Sequence, residues 1–176
     1  QGWMTFRDPR RFGGLTALPS VEALADHWSE LGPDGFLAPR LELLERLRGL
    51  GRQAKAALLD QRVVAGVGNI YADESLFRAG IHPLQPLRAL SDAAVARLVD
   101  AVQSVLSAAV HAGGSTLRDY VDANSQPSSF QELHVVYGRA GLACPGCRHP
   151  LDGFQAAGRT TVACRHCQPL IHTRRR

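Results

Sequence analysis

All four cysteines of the chain stand in two pairs, Cys144-Pro-Gly-Cys147 and Cys164-Arg-His-Cys167, with sixteen residues between the pairs. At this spacing each tight turn offers two thiolates to one ion, and the intervening hairpin brings the two turns together. The pattern points to a tetrahedral Zn²⁺ held by Cys144, Cys147, Cys164 and Cys167 in a zinc ribbon. Four protein thiolates leave no open position for a substrate or an activated water, so the single ion is expected to be structural. Two disulfides, or four unrelated thiols, are the alternatives. Neither is favoured, because nothing reads as a signal peptide and paired two-residue spacing is the zinc pattern.

A structural ion holds something else in place, and the nearest candidate is Arg159 in Gly158-Arg-Thr-Thr-Val-Ala-Cys164. Thr160, Thr161 and Val162 are strand formers, so Gly158 to Ala163 reads as the return strand of the hairpin, with Gly158 at the turn. Arg159 then sits at the tip. A planar guanidinium on a metal-fixed tip suits a bidentate grip on phosphate, although an ordinary solvated arginine fits the hairpin equally well.

The rest of the chain must position that tip. A second anion-binding feature is Asp60-Gln-Arg-Val-Val-Ala-Gly-Val-Gly-Asn69, followed by a helical pattern over Ile70–Gly80. Glycines just ahead of Asn69 make a sharp turn that presents a helix N-terminus, whose free N–H groups attract anions, and Gly66 and Gly68 allow close approach. A plain connection between two helices would look the same. Further helices are expected from Val21 to Trp28 behind a Ser20 cap, and from about Pro39 to Leu50 with Leu41, Leu44, Leu47 and Leu50 on one face. A short helix follows over Gln53–Leu59. The longest runs from about Asp92 to His111, capped by Ser91, with Val95, Leu98, Val99, Val102, Leu106 and Ala109 inward. Gly113-Gly114 ends it, the polar Asp122–Ser129 stretch is a loop, and Leu133–Tyr137 leads into the ribbon. At the front, Trp3–Phe6 reads as a strand and Asp8–Gly13 as a turn.

With 176 residues, 45% hydrophobic and 20% charged, the chain can bury one core plus a small metal-held satellite. Its net charge of +4 rests almost wholly on arginine, Lys55 being the only lysine, which mildly favours a polyanionic partner. The Arg174–Arg176 run adds phosphate affinity or is a frayed tail. No apolar run is read as spanning a bilayer, and four reduced cysteines suggest a cytoplasmic protein. One hairpin at the front has no sheet to join, so the sequence is expected to be a fragment, or a shortened relative, of a longer protein.

The stretch Gln61-Arg-Val-Val-Ala-Gly-Val-Gly-Asn-Ile-Tyr-Ala-Asp-Glu-Ser-Leu-Phe77 resembles the formamidopyrimidine-DNA glycosylase/endonuclease VIII family. The resemblance continues through Ala79–Pro83, Gly113–Asp119, Val136-Tyr-Gly-Arg139, both cysteine pairs and Gly158-Arg-Thr, and reaches back to Asp8-Pro-Arg-Arg-Phe-Gly13. It implies a mainly α fold with small β. A helix–two-turn–helix domain would cover 20–130 and a four-cysteine zinc finger 131–176, preceded at 1–19 by a remnant of an N-terminal β-sandwich. It further implies a monomer of base-excision repair, active on damaged double-stranded DNA with no membrane partner. Such a protein excises oxidised purines such as formamidopyrimidine and 8-oxoguanine, then cleaves the abasic strand by elimination.

By the same resemblance, Asn69 and Arg159 would clamp the phosphates flanking the lesion, with Tyr137 and Lys55 as further backbone contacts. Arg10, Arg11 and Phe12 would fill the duplex where the base is everted, recovering part of the unstacking energy. Arg159 would also assist the late elimination step. The family's N-terminal proline nucleophile and the glutamate after it match no position here, so the chain alone is expected to be inactive. A non-catalytic, zinc-dependent module for damaged DNA is the alternative, and a protein-contacting zinc ribbon a more distant one. The family's glycine-rich lesion loop reads Ser125-Gln-Pro-Ser-Ser129, which leaves lesion preference open.

Overall fold

The computed structural model describes residues 3, 5, 6, 13–113 and 134–171. Among them five helices, α1 (Val21–Trp28), α2 (Arg40–Leu47), α3 (Ala54–Leu59), α4 (Asn69–Ala79) and α5 (Asp92–His111), precede one hairpin of β1 (Asp152–Ala156) and β2 (Arg159–Ala163). A 3-10 turn at Leu87–Ala89, which the sequence did not suggest, joins α4 to α5. The mainly helical class with a small sheet is therefore as expected.

Helix α5 is the spine of the helical body. The Ser91 hydroxyl accepts from the Ala94 N–H at its start, and all six residues expected to face inward are buried. Against that side lie α4, through Ala72, Leu76 and Ala79, and α2, through Leu43 and Leu47. By length and composition α5 could cross a bilayer, with 20 residues at a mean hydropathy of 1.5, which corrects the expectation that no run could. Half of that stretch is covered by its neighbours, as in the core helix of a folded body.

The leucine face of α2 is also corrected. Leu43 and Leu47 are buried at 1% exposure each, four residues apart on one side, while Leu41 is 65% exposed. The stretch holds five leucines in ten residues, so two overlapping helical stripes fit it, and contact with α5 decides between them. The strand expected at the front does not form among the described residues there: Trp3, Thr5 and Phe6 lie outside any strand, and Trp3 is fully exposed. No neighbouring strand is present among the described residues to pair with them.

In the ribbon, β1 and β2 pair antiparallel from Asp152↔Ala163 to Ala156↔Arg159. The two-residue turn is Ala157-Gly158, both at positive φ (51° and 69°), the geometry that matches the twist of a tight hairpin and that Gly158 adopts without strain. A small apolar cluster of Val136, Leu151, Val162, Cys144 and Cys164 fills the ribbon, and Phe77 of α4 packs against it.

Candidate nucleic-acid interface and metal centre

The four cysteine sulfurs converge at the open end of the hairpin, all within 4.8 Å of one another. Cys144 Sγ lies 3.8 Å from Cys167 Sγ, and Cys147 Sγ 3.4 Å from Cys164 Sγ. No S–S bond links any of them, so the disulfide alternative does not describe this structure. Burial raises the Cys144 thiol, but the backbone N–H groups of Cys147 and Gly146, together with the Cys164 and Cys147 side chains, outweigh it and bring the group down to about 7. Cys167 moves the other way, pushed far up by burial and by the neighbouring thiols. Four thiols packed this closely resist losing their protons together, and a cation at their centre resolves the conflict. The set is fitted to hold one metal ion.

At the other end of the hairpin, Arg159 is exposed, and no hydrogen bond or ion pair among the described residues engages its guanidinium. What fixes its backbone is the side of α4. Asn69, the first residue of the helix, donates from Nδ2 to the Thr160 carbonyl at 3.0 Å. One turn on, Asp73 Oδ2 accepts from the Val162 N–H at 3.1 Å, and its Oδ1 accepts from Lys55 Nζ at 2.6 Å. Lys55 also donates to the Thr161 hydroxyl at 2.7 Å and the Thr160 carbonyl at 3.2 Å. Positions 69 and 73 are four apart and share a helix face, so α4 grips β2 at two successive points.

Glu74, 3% exposed, holds the bend over Val135–Tyr137 that leads into the ribbon. Its Oε1 accepts from the N–H groups of Val135, Val136 and Tyr137 at 2.9–3.0 Å. Two glutamines complete the seam. Gln168 accepts from the Cys164 N–H and donates to the Ile81 carbonyl, and Gln85 accepts from the Ile171 N–H. Each is 0–1% exposed, and each supplies polar partners to backbone that water cannot reach. The ribbon is thus attached to the helical body by buried polar side chains rather than by a broad apolar face.

Beside this seam the turn at Gly66–Gly68 opens to solvent. Gly66 stands at φ +86°, where a side chain would be strained, and a Cβ on Gly66 or Gly68 would meet nothing within 4 Å. The first turn of α4 therefore lies next to a hairpin tip that carries the exposed Arg159 guanidinium. A helix N-terminus and a guanidinium brought together make a site for phosphate oxygens.

A family model for the formamidopyrimidine-DNA glycosylase H2TH domain matches residues 31–121, a span that takes in α2 to α5. The chain belongs to this family. Its relatives include formamidopyrimidine-DNA glycosylases of Gluconobacter oxydans, 43% identical over 168 residues, and of Thermus thermophilus, 44% identical over 170 residues. These alignments cover 92% and 93% of the chain but 60% and 63% of the relatives, so it spans about three-fifths of their length. Among solved structures, the MutM (Fpg) protein of Thermus thermophilus superposes with a TM-score of 0.81 at 42% identity, covering 94% of this chain and 64% of that one. A Lactococcus lactis Fpg bound to DNA containing an abasic site superposes at 0.77 with 32% identity, covering 85% and 56%.

Within this H2TH-family chain, the sequence-derived site residues divide into three groups. Asn69 and Arg159 are brought together through Thr160, and Tyr137 is half-buried on the same seam, its N–H on Glu74 and its ring edge-on to His134. Arg10, Arg11 and Phe12 lie outside the described residues. Lys55 is corrected: it is fully buried, and its three donors are taken by Asp73, Thr160 and Thr161, which leaves none for a phosphate. Burial lowers the Lys55 ammonium and raises the Asp73 carboxyl, and the hydrogen bond between them opposes both shifts. Sequence reading missed Asp73, Glu74, Gln85 and Gln168. Two adjacent carboxylates in an otherwise apolar stretch of helix, Asp73 one turn after Asn69, were the available signal.

Proposed function

We propose that this chain is the DNA-gripping part of a base-excision-repair glycosylase and abasic-site lyase acting on oxidised purines. The observation that carries the reading is the bond from Asn69 to the Thr160 carbonyl, which seats a helix N-terminus beside the exposed guanidinium of Arg159. In this reading Asn69 and Arg159 hold the phosphates on either side of the damaged nucleotide in duplex DNA, and Tyr137 adds a backbone contact. Arg10, Arg11 and Phe12 occupy the gap left by the everted base, replacing part of the lost stacking. Lys55 acts from within, holding the strand that carries Arg159.

The ion is Zn²⁺ in this proposal. A Zn–S bond of about 2.3 Å in tetrahedral geometry separates sulfurs by roughly 3.8 Å, close to the distances of 3.4 and 3.8 Å. It supplies no chemistry beyond holding the two knuckles, and so the hairpin tip, in place. Residues 20–130 form the helix–two-turn–helix domain and 131–176 the zinc finger, with 1–19 the end of a β-sandwich domain. The protein works as a monomer in the bacterial cytoplasm, on the nucleoid.

Strand cleavage in this chemistry starts when an amine attacks the sugar C1′, expels the base and leaves an imine that permits elimination. No residue described here is placed to be that amine, Lys55 being buried. The role assigned to these residues is to grip, and to Arg159 also a late contribution to elimination. Binding of the zinc-loaded chain to a duplex with one abasic site, measured at several salt concentrations, tests the grip. Affinity that falls linearly with the logarithm of salt supports it, and salt-independent or absent binding contradicts it. Borohydride trapping on the same duplex tests for a nucleophile: an adduct would make the chain itself a lyase.

A further inference from the structure

We infer that the ribbon carries a second metal site, in which Cys147, His149 and His166 hold an exchangeable divalent ion that shares the Cys147 thiolate with the four-cysteine centre. The sulfur of Cys147 and one ring nitrogen from each histidine lie within 4.8 Å of one another. Each knuckle supplies one imidazole by the same short pattern, Cys147-Arg-His149 and Cys164-Arg-His166. The two rings stack with centroids 4.6 Å apart and planes 10° from parallel, so the imidazoles are already neighbours, and a shared ion requires these exposed rings to splay until both nitrogens face it. Both histidines are exposed, and neither ring makes a hydrogen bond or ion pair among the described residues. Cys147, like Cys167, is half-buried where Cys144 and Cys164 are buried, and of the four sulfurs it is the one grouped with the two histidines.

The chemistry of the first site favours a second ion here. A divalent cation with four thiolates carries a net charge of two minus, and a sulfur already bound to one metal keeps lone pairs for another. A cation beside it is drawn by that charge, while Arg165, which could compete, is turned to Asp152. Two imidazoles and one thiolate suit borderline ions such as Zn²⁺, Co²⁺ or Cd²⁺. Ligand distances of about 2.0–2.3 Å require donor atoms about 3.3–3.8 Å apart, a closing movement that two exposed side chains can make. Three protein ligands leave one position for water, so this ion exchanges where the inner one does not. The outer site lies at the knuckle end of the hairpin, about 16 Å along the strand from Arg159, clear of the proposed DNA contact.

The inference rests on the four-thiolate reading of the inner site, and one experiment separates the two. The zinc-loaded chain is dialysed against rising free Zn²⁺ and its bound metal counted, alongside a His149→Ala/His166→Ala variant. The backbone of His149, whose carbonyl accepts from Cys144, is untouched by the change. The expected result is one tightly held equivalent in both proteins and a second, weaker equivalent in the natural sequence, bound at least tenfold more weakly or not at all in the variant. A single equivalent in both, or a second equivalent unchanged in the variant, overturns the second site. Absence of the tight equivalent in both overturns the four-thiolate centre instead.

Discussion

The helical body and the ribbon solve the same problem in opposite ways. Helix α5 is covered along one side by α2 and α4, and Leu43, Leu47, Leu58, Leu76 and Leu98 are each no more than 1% exposed, so the body is held by apolar burial. The ribbon has two five-residue strands and a handful of apolar side chains, too few to fold such a piece in water. It has instead four cysteines placed to hold a metal ion at one end and a polar seam along one side. The grip that the proposal assigns to the molecule spans the two, with Asn69 on the first and Arg159 on the second. A body held by burial can carry the helix N-terminus without help, whereas in this proposal the tip relies on both the ion and α4.

The two regions should part most visibly when a metal ligand is removed. Cys164→Ser removes one of four ligands, and metal binding in such sites carries about 10–16 kcal/mol of folding free energy. Loss of metal and of ribbon structure is expected by metal analysis and amide exchange, with the helical signal retained; full metal stoichiometry would refute the four-thiolate centre. Next in size is Lys55→Met, which strands the Asp73 carboxylate in a buried site at a cost of about 3–5 kcal/mol. Because Lys55 bonds both α4 and β2, denaturation should show the body and the ribbon weakened together. Lys55→Met/Asp73→Leu should recover part of that stability. Leu98→Ala, about 2–5 kcal/mol, should lower the stability of the helical body and leave metal content unchanged, the converse of the cysteine change.

The smallest effect belongs to the surface of the ribbon. The Asp152 carboxyl is held below its ordinary range, chiefly by its hydrogen bond from Arg165. Stability from this pair is present above the unfolded carboxylate value and is lost as pH falls through the depressed one. Asp152→Asn should therefore differ slightly from the natural sequence in denaturation at neutral pH and converge with it in acid. A difference that grows in acid would reverse the assignment.

Much of the architecture was legible because its signals are local. Ser20 and Ser91 cap helices as their side chains suggest, Gly80 closes α4, and the inward side of α5 follows from its spacing alone. The cysteine pairs declare a metal centre by their spacing. What stayed hidden depends on contact. Five leucines in α2 and its flank fit two stripes, and only the neighbouring helix selects Leu43 over Leu41. The resemblance suggested a phosphate contact for Lys55, and nothing in its own neighbourhood marks it as buried. Its partners Asp73 and Thr161 lie 18 and 106 residues away. Glu74 likewise serves a segment more than 60 residues further on. Such long-range polar pairs leave no periodic trace.

In the proposed function the metal and the polar seam seat Arg159 beside the N-terminus of α4 on a DNA backbone. This placement is tested most directly by the salt dependence of binding to an abasic duplex, compared between the natural chain and Arg159→Ala, both zinc-loaded. One lost phosphate contact should flatten the slope of log affinity against log salt by about 0.9, and weaken binding by a similar factor on every sequence. An unchanged slope, with binding intact, would mean that the hairpin tip does not touch the backbone.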